Sequence, residues 1–304
     1  MRQAALTTAL AGATAATGTA GALANASLAP PAGQPPATDR QPRFFSGCCA
    51  YSFRKYLEHG PMTMEDFLRR AVALDVNAVD MTGYYFKSMS PDYLTGLRHL
   101  AFKLALPFSG TACGVSMVQA DAAKRAEALS EIRKWIDAAE ILGASHLRIF
   151  AGKLPPGAGE AQGVDWVVEI MKAACDYSAP KGITLGLEDH SGIAQRASVC
   201  LEILRRVDSP YAAINLDITH FLPDGGQDPY AQIASCVPYA TVAHVREVFD
   251  DGTPIDLDRV WKIFGSAGFK GYMSAEYEGK EDPVTGVPKL VAKIRALNSK
   301  YSSV

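Results

Sequence analysis

Glu188, Asp217, His244 and Glu276 each close a short apolar run, and they follow one another at intervals of 29, 27 and 32 residues. The runs are TLGLE over residues 184–188, AAINLD over 212–217, YATVAH over 239–244 and YMSAE over 272–276. Each has the composition of a buried parallel strand with its polar residue last. The interval is that of one strand plus one helix. In a parallel α/β barrel the carboxyl ends of all strands surround one mouth, so four residues far apart in the chain converge there. Three carboxylates and one imidazole in such a ring make a site for one divalent metal ion. Singly, each reads as easily as a helix N-cap or as the partner of a backbone carbonyl. Four in succession at the functional face argue for chemistry.

The elements that must position these residues begin at residue 44. A first strand over 44–51 (FFSGCCAY) is followed by a helix over 64–74, with Thr63 as its N-cap, and by a strand over 78–81. Ser90-Pro91 opens a helix over 91–103; a strand over 104–112 and a long helix over about 121–142, stopped by Gly143, come next. The fourth strand is 146–150 (HLRIF), the Gly/Pro-rich segment 152–159 is a loop, and the fourth helix is 164–179. Helices over 197–207, 229–236 and 257–267 separate the last four strands, and a helix over 289–297 closes the chain. Eight strands alternating with eight helices predict an α/β fold, a single (β/α)8 TIM barrel over residues 44–304. A doubly wound open sheet binding a nucleotide would need a glycine-rich turn after the first strand, and Gly47-Cys48-Cys49-Ala50 is not one.

The chain has 304 residues, 30 basic and 32 acidic, with a formal net charge of -2. That balance offers no field for nucleic acid and no basic stripe for a membrane surface, so the expected partner is a small molecule. Residues 1–26 form a different kind of sequence. No charged side chain stands between Arg2 and Asp39, and an apolar Ala/Thr/Gly stretch ends in the small-residue triplets Ala22-Leu23-Ala24 and Ala24-Asn25-Ala26. This reads as an export signal of twin-arginine tone, too mild in hydrophobicity to span a membrane, with a true start upstream of Met1; an Ala-rich tail of a cytoplasmic protein is the alternative. Residues 27–43, with five prolines from Pro30 to Pro42, form an extended spacer. The six cysteines show no zinc-ligand spacing and are read as buried small side chains without chemistry; alternation along a strand sends Cys48 and Cys49 to opposite faces.

The residues that close the later strands resemble those of the xylose-isomerase-like sugar isomerases and epimerases, a family that includes ketose 3-epimerases, hydroxypyruvate isomerases and inosose dehydratases. The resemblance covers about residues 44–300 and is carried by Glu188-Asp189-His190, by Asp217-Ile218-Thr219-His220, by His244 and by Glu276. It implies that Glu188, Asp217, His244 and Glu276 bind one divalent ion, Mn²⁺ first and Mg²⁺, Co²⁺ or Zn²⁺ as alternatives. It also implies that Glu188 and Glu276 move protons on a sugar, sugar acid or keto-polyol through an enediolate, and that the barrel forms homo-oligomers through its helices. A lyase on the same scaffold begins with the same enediolate, and a non-catalytic carbohydrate-binding barrel is the reading from another class.

Around this set, His220 is placed to donate to a substrate oxygen, His190 and Arg246 to face the same mouth, and Arg148 to bind hydroxyls or a carboxylate. An Arg148 pointing outward to a helix acid is the competing expectation. Tyr51, Phe53, Tyr84, Tyr85 and Phe86 offer flat faces to sugar C–H groups, although packing is the commoner use of such side chains. Two positions depart from the family pattern: Ala194 stands where free-ketose 3-epimerases carry a further glutamate, and Glu247 stands where an aspartate is common, followed by Asp250 and Asp251.

Overall fold

Apolar runs too short for helices and buried on both faces have one stable arrangement, a parallel sheet covered by helices. A computed structural model, which describes residues 41–302, closes that sheet into a barrel. Its strands are β1 (Arg43–Cys49), β2 (Ala78–Thr82), β3 (Phe108–Ser116), β4 (His146–Gly152), β5 (Thr184–Gly192), β6 (Ala212–Asp217), β7 (Ala240–Val245) and β8 (Lys270–Ala275). Every neighbouring pair is parallel, and β8 returns to β1 from Arg43↔Lys270 to Cys48↔Ala275. The fold is a single (β/α)8 TIM barrel.

Alternation along each strand sorts the side chains. On β4, Leu147 and Ile149 join the apolar core under the helices, while His146 and Arg148 face the barrel interior. The helices are held by the caps their sequences carry. Thr63 and Asp66 form a reciprocal capping box, Ser90 accepts from the Tyr93 N–H ahead of Pro91, and Asp121 accepts from two N–H groups. The helix Leu257–Ser266 buries Leu257, Val260, Trp261 and Phe264. The Trp261 indole N–H donates to Asn298 at 2.9 Å, which ties this helix to Pro283–Tyr301.

Several boundaries move. The third strand is 108–116 instead of 104–112: Leu104 caps the preceding helix and Ala105 takes a left-handed φ of 52°, so this apolar run turns before it extends. The first strand stops at Cys49, where Ala50–Phe53 tightens into a 3₁₀ turn and Arg54–Glu58 forms a short helix. β5 runs on to Gly192, past Glu188, and Glu276 stands one residue beyond β8. The last helix begins at Pro283, not 289, because Asp282 caps it and proline suits the first helical position.

The export-signal segment 1–26 and residues 27–40 of the spacer lie outside the described residues. Among the described residues no helix is long and apolar enough to cross a membrane. All six cysteines are buried and free.

Candidate metal centre at the barrel mouth

The strand register brings the four strand-end residues to one end of the barrel. Phe150 pairs with Glu188, Glu188 with Asn215, Asp217 with His244, and His244 with Ser274. All four candidates are buried. One ligand atom from each of Glu188, Asp217 and His244 lies within 4.8 Å of the others, and His244 forms a second such trio with Glu276 and Cys49. The imidazole is the hinge of the set: Nδ1 is 2.9 Å from Glu188 Oε1 and 3.4 Å from Glu276 Oε1.

The opposite nitrogen, Nε2, is 2.8 Å from Asp80 Oδ2. A carboxylate accepting the Nε2 proton fixes the ring and leaves Nδ1 to face the ligand trio, the usual arrangement behind a metal-binding histidine. Asp80 was missed in the sequence, although a lone charge inside the fully buried run AVDMT was its signal. Asn215 was missed too. It lies two residues before Asp217, hence on the same strand face, and its amide donates to Glu188 Oε1 at 3.0 Å.

Arg148 points into the barrel, not outward. Its Nη1 donates to Glu188 Oε2 and its Nη2 to the Tyr84 hydroxyl, both at 2.6 Å. Arg246 Nη2 donates to Asp217 Oδ2 at 2.9 Å and Nη1 to Glu278 Oε1 at 2.7 Å. His220 lies beside Asp217, its Nε2 3.4 Å from Oδ2 and 2.6 Å from Arg246 Nη2, while its Nδ1 faces Asp250 at 2.8 Å. His190 stays half-buried outside the ligand trio, packed on Phe150 at 4.9 Å and edge-on to His220 at 4.5 Å. Of the early aromatics, Tyr84 alone touches this network. Phe53 is core, packed on Phe67, and Phe86 packs on Trp135.

Electrostatics follow from these neighbours. Burial disfavours a charged Glu188, but the Arg148 guanidinium and the His244 ring outweigh it and hold the carboxyl well below its usual range. Glu276 accepts no guanidinium hydrogen bond among the described residues; burial, aided by the Asp217 and Glu188 charges, outweighs His244 and Arg246 and pushes it up to about 7. Burial opposes charge on His244 as well, yet Glu276, Asp80 and Glu188 together raise it well above the ordinary imidazole value. For His220, the Asp217, Asp189 and Asp250 carboxylates pull against burial toward about 9. The 2.6 Å contact to Arg246, however, needs a lone pair on Nε2. Geometry therefore favours the neutral tautomer with Nδ1–H donated to Asp250. Asp189, on the other face of β5, accepts the Asp217 N–H at 2.8 Å, and burial keeps its carboxyl well above the usual range.

Asp80, Glu188, Asp217 and Glu276 are four buried carboxylates facing two buried guanidiniums, Arg148 and Arg246. The surplus of negative charge must be met by protons or by a cation. A divalent ion suits both the surplus and the donor set, with oxygens from Glu188, Asp217 and Glu276 and the nitrogen of an imidazole whose other side is already anchored.

A family model described as a xylose isomerase-like TIM barrel matches residues 68–297. A putative hydroxypyruvate isomerase of Mus musculus is 27% identical over 170 residues, which is 49% of this chain and 59% of that protein. The chain thus spans about three-fifths of the length of this curated relative. Among solved structures, D-psicose 3-epimerase from Clostridium cellulolyticum H10 superposes with a TM-score of 0.69 at 11% identity, covering 86% of this chain and 100% of the other. The 3-keto-D-glucoside 4-epimerase of E. coli superposes with a TM-score of 0.67 at 14% identity, covering 84% and 100%. At such identities the superpositions speak for the fold alone. With the family model matching most of the barrel, the chain belongs to the xylose isomerase-like TIM barrel family.

Proposed function

We propose that this protein is a divalent-metal-dependent isomerase or epimerase of a sugar, sugar acid or keto-polyol. The observation that carries the reading is the convergence of Glu188, Asp217 and His244 within 4.8 Å, with Glu276 at 3.4 Å from the shared imidazole. These four residues would hold one ion, with manganese foremost and magnesium, cobalt or zinc as alternatives. Bound there, the ion supplies Lewis-acid polarisation of a substrate carbonyl.

The chain's own residues do the rest. Glu276 takes the proton from the carbon beside the carbonyl, since, unlike Glu188, it accepts no hydrogen bond from a guanidinium among the described residues. Arg246, packed against Asp217 and held by the Nε2 lone pair of His220, is the donor toward a substrate oxygen that gains negative charge, and His220 positions it. His190 extends that wall, and Arg148 orients Glu188 and the Tyr84 hydroxyl. A two-base epimerisation further requires Glu188 to exchange a proton on the opposite face.

The Arg148 contact favours a second reading. A carboxylate whose Oε2 accepts from a guanidinium and whose Oε1 accepts from Asn215 is poorly placed to take up a proton. One base on one face suffices for a lyase that eliminates a group next to the same carbonyl, or for a one-base isomerase. The alanine-rich start supports an exported enzyme. Sequencing the mature N-terminus tests this, with cleavage after Ala24 or Ala26 expected.

The deciding experiment is proton exchange in heavy water, with Mn²⁺ and a panel of ketoses, keto-acids and 3-keto-glycosides, read by NMR. Deuterium entering beside a carbonyl, abolished by chelation and by Glu276→Gln, is expected. Full turnover by Glu276→Gln would remove that residue from the chemistry, and stoichiometric metal with no exchange in any substrate would favour a binding barrel.

A further inference from the structure

Cys48 and Cys49 end β1 side by side, yet they have different surroundings. Cys48 belongs to the apolar core, whereas Cys49, only 3% exposed, lies outside that cluster among polar groups. Its sulfur is 3.6 Å from Glu276 Oε1 and 3.4 Å from Thr82 Oγ1. Sheet register sets this position. Cys49 pairs with Asp80 on β2, and the β1–β8 pairing of Cys48 with Ala275 puts Cys49 next to Glu276.

The geometry points to Cys49 as a further donor of the same centre, its thiolate joining His244 and Glu276 on the divalent ion. The inference rests on the metal-centre reading above and deepens it. Two independent trios of metal-competent atoms share His244: one with Glu188 and Asp217, the other with Glu276 and Cys49. Donors bound to one ion at about 2.1 Å for oxygen and about 2.3 Å for sulfur stand at most about 4.4 Å apart. The observed Cys49–Glu276 separation is 3.6 Å. Thr82 supports the thiolate as well. Its Oγ1 accepts the Tyr51 N–H at 3.1 Å, which leaves the hydroxyl proton to donate to sulfur.

Coordination breaks the S–H bond, forms a metal–sulfur bond and releases the thiol proton to solvent. A soft donor in an otherwise hard set moves preference from magnesium and manganese toward zinc and cobalt.

The test uses the full chain loaded with cobalt. A thiolate-to-cobalt charge-transfer band in the near ultraviolet is expected in the parent and in Cys48→Ser. It should be lost in Cys49→Ser and Cys49→Ala, with the visible cobalt bands retained. The zinc-over-manganese preference, measured by competition, should fall with the band, and about one fewer proton should be released per zinc bound. X-ray absorption of the zinc-loaded parent needs no variant. A sulfur neighbour supports the proposal, and a shell of nitrogen and oxygen only overturns it. Stoichiometric cobalt in the parent without the charge-transfer band also overturns it and leaves the four-residue centre standing. Failure of the parent to bind cobalt or zinc at all overturns the centre itself.

Discussion

Two buried histidines face the interior of this barrel in opposite circumstances. His146, at the start of β4, fills the space left by Gly110 and Gly186, where an added Cβ would stand 2.8 Å and 2.2 Å from its ring nitrogens. Neither of those nitrogens has a hydrogen-bond partner among the described residues, and burial pushes the ring down to about 4. His244, at the mouth, is equally buried but meets carboxylates on both nitrogens and is raised instead. Burial by itself makes an imidazole a neutral, aromatic-sized filler. Carboxylates on both sides turn it into a ligand with a fixed orientation.

The largest break in this comparison comes from removing the shared donor. His244→Ala should reduce metal retained after dialysis to background and abolish substrate deuterium exchange, whereas His146→Leu should keep both. Equal metal content in the two variants would put the ion elsewhere. Removing the anchor behind His244 is the next step down: Asp80→Ala should weaken metal affinity about 10- to 100-fold in a competition titration. Unchanged affinity would reduce Asp80 to a packing residue.

The mouth and the floor should respond to pH in opposite senses. In metal-free protein Glu276 keeps its proton to about 7, above its ordinary 4.5, so the folded state binds the proton more tightly than the unfolded chain. That contribution is complete below about 4.5 and is lost as pH rises through about 7, a change of up to about 3 kcal/mol. His146, neutral down to about 4 against an ordinary 6.5, works the other way over an overlapping window, so chemical denaturation should show the decline in a His146→Leu background, where Glu276→Gln should flatten it. The same proton and the one on His244 compete with metal, so affinity should climb with pH through about 7 and go on rising above it.

The floor offers the smallest effect. Gly186→Ala should cost about 1–3 kcal/mol by forcing the His146 ring aside, and much of this should return in combination with His146→Ala. Purely additive melting temperatures would show that the two do not press on each other.

The barrel was legible because its signals are local. Apolar runs of strand length, separated by capped helices such as the one Ser90 and Pro91 open, recur at a fixed period, and each later strand closes on a metal-competent residue. Local propensity misled at Leu104-Ala105-Leu106, an apolar run that turns before it extends, and at 50–53, where the first strand gives way to a 3₁₀ turn. Asp80 and Asn215 left traces, one as a charge inside an apolar run and the other by its spacing from Asp217, but neither trace names a partner.

By itself the amino-acid sequence determined the (β/α)8 architecture and the gathering of Glu188, Asp217, His244 and Glu276 at one mouth. Period, polarity and strand parity are properties of neighbours in the chain. The tertiary structure alone decided that Arg148 turns inward to Glu188, that Asp80 holds the far side of His244, and that Cys49, not Cys48, faces Glu276. Those contacts join residues 40, 164 and 227 positions apart. Barrel closure and strand register set their distances, and at these separations inside a buried site distance decides which groups carry charge.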